Sequence, residues 1–166
     1  MEIEDLGPAE RIVAGAIGEP GQRRFYLQVT ANGEVTTMLA EKTQINALAT
    51  QGVAILDANE ISSDEVAVDR LIAEGMFVED PGFDGERFRI GEISIALAPS
   101  ELLTITVEDI EGEDGITFVI APEQFRAMAR VAIDVVEAGR PTCPWCKLPM
   151  DPAGHQCAAS NGHHRD

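Results

Sequence analysis

Aromatic residues are scarce in this chain, at 5% of 166 residues, so a surface that stacks bases lacks its usual material. Basic residues are scarce too. Twelve Lys and Arg stand against 29 Asp and Glu, a formal charge of −17, which repels a phosphate backbone and argues against nucleic acid as the primary partner. No stretch approaches the roughly 20 apolar residues of a membrane-crossing helix. Residues Met1 to Glu10 have neither the basic start nor the apolar stretch of an export signal, so the expectation is a cytoplasmic protein with no membrane association. The three cysteines all fall between Cys143 and Cys157. An odd number in one cluster beside a histidine suits metal ligation in a reducing compartment better than a disulfide framework. The nucleophile elbow, phosphate-binding loop, HExxH helix and dinucleotide fingerprint are all missing, and no catalytic residue is assigned.

What the chain does have is aliphatic material for one core, since 45% of its residues are hydrophobic. Ile12, Val13, Ala14 and Ile17 read as a strand between Glu10 and Gly18, closed by the turn-forming run to Gly21. From Arg24 to Thr30, Phe25, Leu27 and Val29 alternate with Tyr26, Gln28 and Thr30, which predicts one inward and one polar face. Asn32-Gly33 supplies the positive φ angles of a tight hairpin, so Glu34 to Ala40 returns antiparallel. Ile45, Leu48, Ala49, Gly52, Ile55 and Leu56 then recur at helical spacing, giving a helix over Lys42 to Ala58.

The second half repeats this plan. Strands are predicted over Arg87 to Ala98, Leu102 to Ile110 and Gly115 to Ala121. A helix follows from Pro122, suited to a first helical position, and Gly139 is placed to end it. Its apolar positions Phe125, Met128, Ala129, Ala132, Val135 and Val136 lie 80 residues after those of the first helix, and Gln44, Ala47 and Ala49 recur as Gln124, Ala127 and Ala129. The expected fold is α+β: an antiparallel sheet from two βββα units with both helices on one face, plus a small C-terminal zinc knuckle. Residues 1–139 form the sandwich domain in this reading, 140–158 the knuckle and 159–166 a disordered tail. Between the units, Glu60 to Glu86 is expected to run over the surface, with at most a short helix near Glu65 to Ala73.

The sharpest chemistry lies near the C-terminus. Cys143 and Cys146 are separated by two residues, a spacing that lets both thiolates point into one tetrahedral site, and His155 and Cys157 complete a Cys3His set. A redox-active pair is the competing reading, but such a motif opens a helix, and Pro144, Pro149 and Pro152 oppose one here. Four nitrogen and sulfur ligands with no open position describe a structural Zn2+ with no bound water to activate. A segment too short to bury a core would take its order from the ion. Trp145 is expected to pack on the helix that precedes the module.

Weaker candidates accompany it. Gly18 and Gly21, followed by Arg23 and Arg24, could form an anion-binding turn, although solvated arginines beside a hairpin are the commoner arrangement. Asp80, Asp84 and Glu86 resemble a calcium loop only loosely and read as solvated. His163 and His164 lie in the polar tail and are poor catalytic candidates.

The N-terminal Glu10-Arg-Ile-Val-Ala-Gly15 and Gly18-Glu-Pro-Gly-Gln-Arg23, with Phe25-Tyr-Leu-Gln28, occur here together with the terminal Cys-Pro-x-Cys and Gly-His-x-Cys. In this combination the chain resembles an uncharacterised actinobacterial family, domain of unknown function 3090, from about Glu10 to Gly162. The resemblance implies a cytoplasmic bacterial protein with a zinc-ribbon-like tip, carries over Cys143, Cys146, His155 and Cys157 as the Cys/His set, and brings no activity. Lys147 stands where the family usually has glycine, and His163-His164 replaces a more aromatic and basic end.

Together these features predict a non-catalytic, zinc-containing interaction or regulatory protein with an unknown protein partner. The alternative is a small-ligand-binding protein or enzyme that uses a groove between the two βββα units.

Overall fold

A computed structural model describes residues 2–19 and 21–138. Its strands are β1 (Glu2–Pro8), β2 (Arg11–Ile17), β3 (Arg24–Ala31), β4 (Glu34–Ala40), β5 (Phe88–Leu97), β6 (Leu103–Asp109) and β7 (Asp114–Ile120). Its helices are α1 (Lys42–Ala58), α2 (Glu65–Ala73) and α3 (Pro122–Ala138). The two βββα units are β2-β3-β4-α1 and β5-β6-β7-α3, and α2 occupies the span predicted for a short helix. Asn32, at φ 54°, and Gly33, at φ 76°, make the expected β3–β4 turn.

The sheet differs from the expected antiparallel one. Its order is β1-β7-β6-β5-β4-β3-β2, and it is mixed. The hairpins are antiparallel, whereas β4 meets β5 in parallel through Met38↔Phe88 and Leu39↔Arg89, and β1 runs parallel to β7. The parallel joint follows from the repeat: α1 and α2 carry the chain back, so the second unit starts in the same direction as the strand it joins. Strand β1 has no hydrophobic alternation, since Glu2, Glu4 and Asp5 are exposed and it is read from backbone pairing alone.

Only Ala9 and Glu10 separate β1 from β2, although these strands end opposite sides of the order. Three Cα steps cover at most about 11 Å, while seven flat strands would place the outer two roughly 29 Å apart. The sheet therefore curls until the end of β1 reaches the start of β2. The Ala9 amide donates to Val119 O on β7 and the next amide, Glu10, to Thr30 O on β3, both at 2.8 Å. Gly7, at φ 72°, bends the chain into this closure.

Arg87 secures the closing strand. Its Nε and Nη2 donate to the two Asp114 carboxylate oxygens at 2.9 and 3.0 Å, and Nη1 donates to Glu4 at 2.6 Å. The Arg87 hydrogen bonds hold the Asp114 carboxyl below its usual range, against the opposing effect of burial. A lowered carboxylate pKa adds stability above the unfolded value, about 3.9, that is lost as pH falls through the folded value. The side chains are 31% and 35% exposed, so solvent screens the pair. Asp114→Asn is expected to cost no more than about 1 kcal/mol in urea unfolding at pH 7, and the difference from the native chain should vanish toward pH 2.

Inward side chains of all the inner strands meet α1 and α3 in one core, with Leu27, Met38, Ile105 and Ile116 fully buried. The helices cross at Gly52. A Cβ there would stand 2.0 Å from Cζ of Phe125, so the ring of one unit's helix occupies the space a side chain would take on the other's.

The expected surface connection also has a structural part. Ile61, Val68 and Met76 are buried, and residues from Gly75 onward form a strap across the outer face of β2 and β3. Val78 covers Gly15. The Gln28 side chain accepts from Glu79 N at 2.9 Å and donates to Glu79 O at 2.7 Å, as a neighbouring strand would. Tyr26 and Gln28 are consequently buried, at 5% and 7%, on the face that alternation alone assigns to solvent.

Candidate functional site

The strap carries the most unusual surface in the described residues. Phe77 is 78% exposed and Phe83 is 98% exposed. Phe83 sits at a tight turn where Asp80 Oδ1 accepts from Gly82 N and Gly82 and Asp84 take positive φ values of 72° and 62°. Behind it an open depression of about 500 Å³ is bordered by Arg24, Tyr26, Asp80, Asp84 and Glu86. Glu86 accepts from Arg24 at 2.8 Å and from the Tyr26 hydroxyl at 3.1 Å. Burial, then the hydrogen bond and charge of Glu86, push the Tyr26 hydroxyl pKa up, so it remains a proton-bearing donor.

Arg23 and Arg24 are not brought together. Successive strand positions face opposite ways, so Arg24 pairs with Glu86 on the strap side while Arg23 lies over the Phe25 ring, 4.9 Å from its centre. The two guanidiniums border separate hollows, and the convergence needed for a shared anion site is not formed. Asp80, Asp84 and Glu86 do share one depression, where Asp80 caps a turn and Glu86 is engaged by Arg24 and Tyr26. Among the described residues no group of three His, Cys, Asp or Glu is arranged to hold a metal ion. Cys143, Cys146, His155 and Cys157, with Trp145, His163 and His164, lie outside the described residues.

The groove expected between the units is filled where the helices meet, because Phe125 packs on Gly52. Polar contacts reinforce the neighbouring seam. Arg126 donates to Asp57 at 2.8 Å and to Ile61 O at 2.7 Å, and Arg130 pairs with Glu65 and Asp69. Sequence reading missed the strap and its phenylalanines. Phe83 lacks apolar neighbours, a sign that it is not a core residue, whereas Phe77 stands in the run Met76-Phe77-Val78 and gives no such sign.

A family model described as Protein of unknown function (DUF3090) matches residues 5–157. The chain belongs to the DUF3090 family. No curated protein and no solved structure matches it. The DUF3090 match takes in the strap, both βββα units and all four Cys and His residues of the terminal set. Among the described residues of this DUF3090 chain no helix is long and apolar enough to cross a membrane.

Proposed function

We propose that this DUF3090 protein is a non-catalytic interaction or regulatory protein. Its curled sheet and helices form a scaffold, and a structural Zn2+ held by Cys143, Cys146, His155 and Cys157 orders a C-terminal tip. The observation that carries the reading is the exposure of Phe83 and Phe77 on a strap pinned to the sheet by Gln28. The chain has six phenylalanines, one tyrosine and one tryptophan, so two aromatics held in water on one connection are a large share of a small supply. An exposed aromatic beside Asp80, Asp84 and Glu86 suits a partner that offers an apolar pocket edged by basic groups.

The rival reading, a small-ligand protein or enzyme working in a groove between the units, would have to use the small hollow between α1 and β5, because the Phe125 ring fills the seam at the α1–α3 crossing.

Metal analysis with affinity capture from native lysate tests the proposal. The purified chain is expected to hold about one equivalent of zinc. Cys146→Ser should release the ion while the sheet domain stays folded. Native chain should capture a stoichiometric partner, and Phe83→Ala should reduce capture by tenfold or more, about 1.4 kcal/mol. Less than about half an equivalent of metal removes the zinc tip from the account. Absence of a stoichiometric partner, or capture indifferent to Phe83, removes the docking surface.

A further inference from the structure

The two halves of the molecule are related by a constant step. Strand β4 and α1 span Glu34–Ala40 and Lys42–Ala58, and β7 and α3 repeat both spans 80 residues later. Polar detail repeats as well: Gln28 donates to Thr37 across β3 and β4, and Thr106 bonds to Thr117 across β6 and β7. Among the described residues the connection that follows α1 has no counterpart after α3. The chain leaving α1 crosses to the other unit, where α2 lies on α3. Val68 is fully buried there, and beneath α3 the β2 residues Ile12 and Ala14 are 0% and 1% exposed.

By register, Ile93 and Ile95 of β5 hold the places of Ile12 and Ala14. Ile12 pairs with Val29, which pairs with Thr36, while Ile93 pairs with Val107, which pairs with Ile116, 80 residues after Thr36. Yet Ile93 and Ile95 are only half-buried. Together with Ala47, Leu48, Gln44 and Gln51 they line an open groove of about 140 Å³ between α1 and β5. That is below the roughly 300–1,000 Å³ of small-molecule sites, and it suits about one ring-sized side chain.

We propose that the chain following α3, centred on Trp145 and Leu148, seats in this α1–β5 groove, taking by chain order the place that α2 takes on α3 without repeating its helix, which Pro144, Pro149 and Pro152 oppose. The step of 80 carries Val68, the buried anchor of α2, onto Leu148. It carries Glu65 and Asp69 onto Trp145 and Pro149, and Arg130, which pairs with both acids, back onto Thr50 of α1. The charge is lost on both sides of the contact at once, so an ionic clamp in one half corresponds to an apolar one in the other. This contact joins the C-terminal segment to the first unit's helix, not to the helix that precedes it, and it goes beyond the metal reading.

Trp145 is the single tryptophan, so its fluorescence reports the contact in the full-length, zinc-loaded protein. Ala47→Arg puts a charge in the groove, and Glu111→Arg makes a like change at the exposed β6–β7 turn. The expected result is red-shifted Trp145 emission and stronger acrylamide quenching in Ala47→Arg, with Glu111→Arg like the native chain. Ile95→Ala, which removes volume without charge, should shift both readouts in the same direction and serves if the arginine variant does not fold. Emission and quenching unchanged in the groove variants overturn the proposal. So does a Trp145 already fully accessible in the native protein, and protection that disappears on dilution together with a dimer assigns the groove to a second copy.

Discussion

Replacing Gly52 with alanine is expected to destabilise the protein, although alanine is the better helix former. In an exposed helix the exchange would gain about 1 kcal/mol. Here the new methyl would lie 2.0 Å from Cζ and 2.2 Å from Cε1 of Phe125, whose ring is fully buried among the helices and sheet. Overpacking of this kind costs about 1–3 kcal/mol and occasionally more, because a close-packed interior has no neighbouring void to take up the displaced ring. The upper part of that range is expected, since the ring belongs to one unit and the glycine to the other, and relief requires α1 and α3 to separate. Phe125→Ala should cost about 3–5 kcal/mol through the opposite defect, a cavity. The two changes are not additive. Gly52→Ala combined with Phe125→Leu should recover part of the Gly52→Ala loss, and a double-mutant cycle on urea unfolding energies measures the coupling. Additive losses would show that Gly52 and Phe125 are not the contact that locks the halves.

Much of this architecture is legible in the sequence, and the reason is periodicity. Helices α1 and α3 bury one stripe each, and Ile45, Leu48, Ala49 and Leu56, like Phe125, Met128, Ala129 and Ala132, announce that stripe at a spacing of three and four. The same spacing places Gly52 on the stripe without saying why it is glycine, because helical periodicity has no place for a ring arriving from 73 positions away. Strand β1 was illegible for a different cause. Its exposed acids give no alternation, and its place is set by backbone bonds to β7 and by the Arg87 pairs with Glu4 and Asp114. Direction in the sheet was missed because hairpin signals report only antiparallel neighbours, whereas the β4–β5 joint is made after two intervening helices. Of the candidate sites, Arg23 and Arg24 looked convergent in sequence because adjacency in the chain is not adjacency across a pleat. Cys143, Cys146, His155 and Cys157 are read as a set from spacing alone, and they lie outside the described residues.

Gln28→Leu is expected to release the strap while leaving the sheet intact. Leucine roughly matches the glutamine in size, so the pleat is undisturbed, but three hydrogen bonds disappear: to Glu79 N, to Glu79 O and to Thr37. Each is worth about 0.5–1.5 kcal/mol, and groups left buried without partners cost about 1–3 kcal/mol apiece. The released strap escapes the second cost by swinging into water, so the loss should settle near 2–3 kcal/mol and appear first as local opening. Native-state hydrogen exchange is then expected to accelerate at the Glu79 amide while amides of β6, in the sheet interior, keep their protection. Gln28→Glu separates the two bonds. A carboxylate still accepts from Glu79 N but faces Glu79 O without a hydrogen to offer, so its defect should be relieved as pH falls and the carboxyl gains a proton. Because the strap also fixes Phe77 and Phe83, the same variants should weaken partner capture even with both phenylalanines present. Capture unchanged in Gln28→Leu, with the Glu79 amide exchanging freely, would mean that the aromatic surface works without being held in place.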